Sequence, residues 1–345
     1  MALLTTTIGS YPKPAWAPVP NPFDPELGRW RPIAAGGVAM STDVEAALDR
    51  ATREVVTEQA AADIDVPTDG EVRRENYLWY HCRHLDGFDF TALVDKVMRD
   101  GGWRDAVPVV TGPLGAGEPF LVRDWQVAQS ATAHPVKMTI PGPSTVVAST
   151  ADAFYADERR CAVDLADAIN VEVRRLADAG CRWIQIDEPI FARDPAQAND
   201  VGIELLGRCF HGVPNGVQRV VHVCCGYPST LDEDDYPKAD PASYSLLADA
   251  LDAAPVDAVS IEDAHRSNDL TLLERFTRTT VVLGVVDIAR TVVETVDQIR
   301  DRLTAALDHI DGDRLMAAPD CGLAMLDRRL AVAKLEHLVA AARAV

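Results

Sequence analysis

His222-Val223-Cys224, then Glu262, then Cys321 within Pro319-Asp320-Cys321-Gly322, form the residue set in this chain best suited to chemistry. Two thiolates, one imidazole and one carboxylate make a four-ligand set of the kind that binds zinc. A zinc site of that kind can hold a substrate thiol as its thiolate and direct it at an electrophilic carbon. Residues two apart on a strand share a face, so His222 and Cys224 can reach one ion while Cys225 points the other way. The competing reading of the same residues is a buried, hydrogen-bonded His222 with inert cysteines. Glu262 and Cys321, each at the end of a different strand-like run, favour the metal.

The elements that must position these residues read as alternating strands and helices. Apolar runs at 5–10, 64–69, 136–140, 183–187, 219–224, 256–262, 280–287 and 315–319 read as eight strands. Helical patterns fill 43–63, 153–180, 244–253, 268–277, 290–311 and 327–344. Alternation of this kind predicts α/β units with a parallel sheet, and eight strands predict a (β/α)8 TIM barrel forming one catalytic domain over 1–345. No Gly-x-Gly-x-x-Gly follows a strand, which removes support for a dinucleotide fold. An insertion at 73–133, after the second strand, reads as a hairpin or flap. Residues 11–36 read as a proline-rich irregular loop and 226–242 as an acidic loop. Ser10, Asp69, Glu71, Asp187, Glu188, His222, Cys224, Glu262, Asp287, Asp320 and Cys321 all lie at or just beyond strand ends. A single strand-end Asp often only caps the next helix. Such residues at most strand ends converge, in a barrel, on one pocket.

Composition narrows the partners. The 345 residues include 53 acidic against 33 basic side chains, a net charge of -20, which argues against nucleic acid as a partner. No apolar run reaches ~18 residues, so no membrane span is expected. The start, Met1-Ala2-Leu3-Leu4-Thr5, has neither a basic n-region nor a long apolar segment, which predicts a cytoplasmic protein. The seven cysteines have no small-scaffold spacing and are expected to be reduced, with Cys82, Cys161, Cys181 and Cys209 as small buried residues.

The chain resembles the cobalamin-independent methionine synthase superfamily, in its catalytic C-terminal barrel. The matching segments are Ile8-Gly9-Ser10, Asp69-Gly70-Glu71-Val72-Arg73, Gly142-Pro143-Ser144-Thr145, Ile184-Gln185-Ile186-Asp187-Glu188-Pro189, His222-Val223-Cys224, Ile261-Glu262, Gly284-Val285-Val286-Asp287-Ile288 and Pro319-Asp320-Cys321-Gly322-Leu323. They occur in family order over nearly the whole chain. The resemblance implies a single zinc barrel and a zinc-dependent thiol S-methyltransferase that makes methionine from homocysteine. It implies His222, Cys224, Glu262 and Cys321 as zinc ligands. It implies Ser10, Glu71 and Asp187 as the groups holding the carboxylate and ammonium ends of homocysteine. It also implies catalytic positions at Asp320, orienting the ligand that follows it, and at Asp287.

Two departures concern the methyl donor. Folate-using members carry a Trp after Gly-Pro-x-Thr that stacks on the pterin; the stretch here is Val146-Val147-Ala148-Ser149. The family's Asp-Ile-His, whose imidazole is implicated in protonating the leaving pterin, is Asp287-Ile288-Ala289 here. The donor is therefore open between 5-methyltetrahydrofolate, methylcobalamin or a corrinoid protein, and a small methylated compound. His84 and His265 are the candidate substitutes for the missing imidazole, against a plain surface or loop reading for each. Trp79, Tyr80, His81 and His84 either close over the substrate or pack the insertion on the barrel. Loss of the pterin residues also admits an epoxyalkane:coenzyme M transferase-like enzyme, whereas retention of the carboxylates opposes it. A metal-free barrel lyase, like the uroporphyrinogen decarboxylases, would need no such ligand set.

Overall fold

The structure, a computed structural model, describes residues 2–21, 37–98, 103–233 and 236–345. Of the expected loops, residues 22–36 and 234–235 lie outside the described residues. In chain order the strands are β1 (Leu4–Thr5), β2 (Leu85–Met98), β3 (Trp103–Ala116), β4 (Lys137–Pro141), β5 (Ala151–Asp152), β6 (Trp183–Asp187), β7 (Gln218–Val223), β8 (Ala258–Glu262), β9 (Thr280–Val286) and β10 (Leu315–Pro319).

Seven of them form one parallel sheet in the order β1-β10-β9-β8-β7-β6-β4. Isolated parallel bridges from Thr6 to Val66 and from Thr68 to Lys137 link its two edges, curling the sheet into a TIM-like barrel. The strand expected at 64–69 is thus present only as bridges. Side chains replace its ladder: the Thr68 N–H donates to Thr7 Oγ1 and Gln59 Oε1 at 3.1 Å, and Gln59 Nε2 donates to the Thr68 carbonyl at 2.9 Å. Next to it, the Thr5 N–H donates to Asp65 Oδ2 at 2.8 Å.

Strand alternation splits the apolar residues between two cores. Ile8, Val66, Val220, Ala258, Val282, Met316 and Ala318 pack with Trp183 inside the barrel. Residues of opposite parity, such as Met138, Ile186, Val221 and Val259, pack outward against the helices. Those helices include Thr42–Ala61, Glu158–Ala179, Ser243–Ala253, Val296–Ala306 and Arg328–Arg343.

Helix starts are set by capping. The helix expected from 153 begins at Glu158, because Asp152 accepts the N–H groups of Phe154, Tyr155 and Ala156 in a turn and Asp157 then caps. The helix expected from 290 begins at Val296, behind a capping box of Thr295 and Gln298. The pattern at 268–277 folds as a short 3-10 helix, Leu270–Arg275. Within 73–133 the structure places the helix Trp79–His84, an antiparallel β2–β3 pair and the helix Leu121–Gln129. β3 continues to β5 through Val109–Ala151 and Val110–Asp152. Lys96 Nζ fastens the pair to the carbonyls of Val147 at 3.3 Å and Thr150 at 2.6 Å.

Lys334 ties the last helix to the loop after β9. Its side chain is fully buried, and Nζ donates to the carbonyls of Asp287 (3.0 Å) and Val292 (2.7 Å) and pairs with Glu294 Oε2 (2.8 Å). Lys334→Met is expected to leave Glu294 and two carbonyls without this partner, and to lower stability by about 3 kcal/mol in urea denaturation. An unchanged midpoint would show that the tie contributes nothing.

Candidate metal centre and acceptor pocket

The carboxyl ends of three strands, the adjacent β7 and β8 and, across β9, β10, deliver the metal-ligand candidates. His222 lies in β7 with Cys224 just beyond it, Glu262 ends β8, and Cys321 follows β10. The register of β10 on β9 shifts between Ala318 and Pro319, which re-aims the chain leading to Cys321. Gly284 makes room beneath: a Cβ there would lie 2.4 Å from Asp320 Oδ1.

One ligand atom from each of His222, Cys224, Glu262 and Cys321 falls within 4.8 Å of all the others. Cys321 Sγ is 3.8 Å from Cys224 Sγ and 3.5 Å from His222 Nε2. Donors at usual zinc distances in a tetrahedron would stand roughly 3.8 Å (sulfur to sulfur) and roughly 3.5 Å (sulfur to nitrogen) apart, so the spacing fits that ion. His222 Nδ1 is 2.9 Å from Ser260 Oγ, which leaves Nε2 for the cluster. Burial lowers the His222 pKa to about 4, so the ring is neutral, as a ligand must be. Cys225 packs on the outer core, and its N–H donates to Glu262 Oε1 at 3.1 Å.

Glu262 Oε2 is buried and has no hydrogen-bond donor. His265 Nε2 lies 3.0 Å away, an ion-pair distance that misses hydrogen-bond alignment, so neither atom has a hydrogen bond. An orphaned carboxylate oxygen beside two sulfurs and a neutral imidazole is what a cation would complete.

Asp320 is directed at the loop after β8 rather than at Cys321. Its Oδ1 accepts the N–H groups of Asp263 and Ala264 at 2.9 Å, and Oδ2 accepts the His265 N–H at 3.0 Å and meets His265 Nδ1 at 2.6 Å. Burial works against charge on His265, but the bond to Asp320 and the neighbouring charges of Asp320 and Glu262 prevail and raise its pKa to about 10. Asp287 turns back on its own loop, accepting the Ala289 N–H at 2.7 Å.

The acceptor-side candidates come from other strands. Gly70 and Glu71 both hold left-handed backbone, φ 68° and 56°, a conformation that costs energy in a glutamate and aims its carboxylate. Glu71 Oε1 accepts from Thr139 Oγ1 at 2.9 Å and pairs with Arg74 Nη1 at 3.0 Å. Gly9 lies against it, since a Cβ there would come within 2.7 Å of Oε1. Asp187 Oδ1 accepts from Gln185 Nε2 at 2.6 Å. Burial, then the charge of Glu71, raises the Asp187 pKa to about 8. Ser10 joins this side to the metal cluster: its carbonyl accepts the Leu323 N–H at 2.7 Å, and Gly322, next to Cys321, leaves room for its hydroxyl.

Sequence reasoning missed Arg74, Thr139, Gln185 and Ser260 as supports. Period two would have found two of them: Gln185 shares a strand face with Asp187, and Ser260 with Glu262. His265 was left without a place, and the structure sets it against Glu262. His84 instead stacks on Phe120, with centroids 4.3 Å apart at 10°. Tyr80 donates to Asp124 at 2.6 Å, and Trp79 meets Phe90 edge-on, so these aromatics pack the insertion. A cleft of about 990 Å³ is lined by His265 together with Tyr236, Lys238, Arg266 and Asn268 among others.

A sequence model described as "Cobalamin-independent synthase, Catalytic domain" matches residues 3–201 and 209–344. The methionine synthase of Sulfolobus acidocaldarius is 31% identical over 341 residues, covering 98% of this chain and 90% of that protein. That of Pyrococcus furiosus is 30% identical over 345 residues, covering 99% and 93%. Among solved structures, a B12-independent methionine synthase from Shewanella sp. W3-18-1 in complex with selenomethionine aligns with a TM-score of 0.87 at 28% identity, covering 99% of this chain and 97% of that one.

The raised pKa of Asp187 makes a signed prediction. A carboxyl that holds its proton more tightly folded than unfolded contributes stability below its ordinary pKa of ~3.9, and that contribution is lost as pH rises through about 8. Thermal melts without acceptor should therefore fall between pH 5 and pH 8. Asp187→Asn should flatten that fall and melt a few degrees (~2–4 °C) above the parent at pH 8. Parallel curves for the two proteins would remove Asp187 as the cause.

Proposed function

The chain belongs to the cobalamin-independent methionine synthase family, and from that membership we propose a zinc-dependent methyltransferase that places a methyl group on the sulfur of homocysteine to give methionine. The observation that carries this reading is the adjacency of a two-sulfur, one-nitrogen, one-oxygen cluster to two buried carboxylates, with Asp187 in register beside His222. The whole chain acts as one catalytic domain, with the 73–133 insertion as a flap on the acceptor side.

His222, Cys224, Glu262 and Cys321 would hold the zinc. Bound there, zinc would supply the Lewis acidity that turns a thiol of pKa ~8.5 into a thiolate at neutral pH. Glu71 and Asp187 grip the ammonium end of the acceptor, and Ser10 binds its carboxylate, so the sulfur is brought to the cluster in one orientation. An arriving ammonium compensates the charge of Asp187 and lowers its pKa, so acceptor binding releases a proton. Asp320 holds the loop after β8 and its histidine in place, and Asp287 belongs to the donor side. The Shewanella relative was captured with selenomethionine, whose shape matches the product expected here.

Ser149 and Ala289 stand where folate users carry a stacking Trp and a protonating His. That departure favours a donor whose leaving group departs without a proton, methylcobalamin or a corrinoid protein, over 5-methyltetrahydrofolate. The same departure is the one observation in favour of an epoxyalkane:coenzyme M transferase-like activity. Glu71 and Asp187 weigh against it, because two carboxylates repel a sulfonate. Among the described residues no helix is long and apolar enough to cross a membrane.

Purified protein is expected to carry about one zinc per chain and to form methionine from homocysteine with methylcobalamin or a methylated corrinoid protein. Cys224→Ser should weaken zinc binding by more than the roughly 10–100-fold that loss of an outer partner costs. Thioether formed only from coenzyme M and an epoxide would sink the methionine reading; protein without zinc would sink the ligand assignment.

A further inference from the structure

We propose that His265, braced by Asp320, is a positioning residue that takes over the carboxylate of Glu262 when an incoming thiol displaces it as a ligand. This rests on the zinc and homocysteine reading above and adds a residue to it.

The imidazole is held rigidly. Nδ1 lies 2.6 Å from Asp320 Oδ2, and the backbone N–H of His265 donates to the same oxygen at 3.0 Å. Asp320 itself is anchored by two further N–H groups, from Asp263 and Ala264. The His265 side chain is 3% exposed. Nε2 is therefore presented at a fixed point, 3.0 Å from Glu262 Oε2.

Both atoms are buried, and at 3.0 Å they stand as an ion pair that misses hydrogen-bond alignment. Buried polar atoms in a folded protein are almost always partnered. Neither atom has a hydrogen bond elsewhere, so each is the ready partner of the other once no cation holds the carboxylate. Oε1 is held by the Cys225 N–H at 3.1 Å, so a small turn about that contact aligns Oε2 with Nε2.

The energetic reason is burial. Glu262 has no solvent exposure, so on leaving a cation its carboxylate cannot escape to water. A buried carboxylate without a partner is strongly unfavourable, and that cost would fall on thiol binding. His265 removes it. The arrangement predicts that His265 favours the acceptor-bound state at the expense of Glu262 as a metal ligand.

The test uses the full chain loaded with cobalt(II), in four forms: parent, His265→Ala, Glu262→Gln and the double variant. Sulfur-to-cobalt charge-transfer absorption and calorimetry read cobalt affinity and then homocysteine affinity. His265→Ala should bind cobalt at least as tightly as the parent, yet bind homocysteine roughly tenfold or more weakly. With Glu262→Gln, whose amide leaves no buried charge, the same change should alter homocysteine affinity less than about twofold. His265→Gln, which keeps an N–H donor, should recover part of the loss. Equal weakening in both backgrounds, or none in either, overturns the proposal. If the parent shows no charge-transfer band, or none that responds to homocysteine, the metal and acceptor reading falls first and this one with it.

Discussion

Four ligand atoms from His222, Cys224, Glu262 and Cys321 crowd within 4.8 Å of one another, nearly out of contact with water. Such a cluster is tolerable only when protons or a cation compensate it, and much of the surrounding structure serves that constraint. Burial keeps His222 neutral, and Ser260 takes one of its ring nitrogens. The Tyr244 hydroxyl bridges the two strands that carry three of the four residues, donating to the Val223 carbonyl at 2.8 Å and accepting the Glu262 N–H at 2.9 Å. Gly284 is bare so that Asp320 can sit above it. The barrel brings strand ends together, and the side-chain bonds between neighbouring strands set each ligand's direction.

The side that carries Glu71 and Asp187 answers a different problem, that of holding two carboxylates close together inside the fold. Glu71 is compensated by Arg74 and Thr139, and its backbone is held in a left-handed conformation to aim it. Asp187 lacks a cation of that quality and instead retains its proton. In the proposed function an arriving ammonium takes Asp187 to its charged form, which couples acceptor binding to ammonium recognition. The same asymmetry disfavours an anionic acceptor without any steric barrier.

Particular elements show where pattern reading succeeds and where it stops. The runs at 136–140, 183–187 and 315–319 became strands β4, β6 and β10 within a residue, because apolar residues between breakers have few alternatives. The run at 64–69 did not form a regular ladder, since Gln59 and Thr7 satisfy its backbone through side chains. Helix starts at Glu158 and Val296 were missed by several residues, because Asp152 and the Thr295–Gln298 box spend the preceding residues on turns and caps. Asp320 reads in sequence as a neighbour of Cys321, yet its bonds go to a loop following another strand.

The amino-acid sequence by itself determined the donor types, their places at strand ends, the alternating α/β order and the family. Each of these depends on residue identity and short-range spacing, which do not need the third dimension. Only the tertiary structure decided which atoms meet: that four candidate metal ligands from three strands lie within 4.8 Å of one another, that burial, then the charge of Glu71, raises the Asp187 pKa, and that His265 faces Glu262. Those facts rest on barrel closure and register between strands far apart in the chain, and sequence separation carries no information about either.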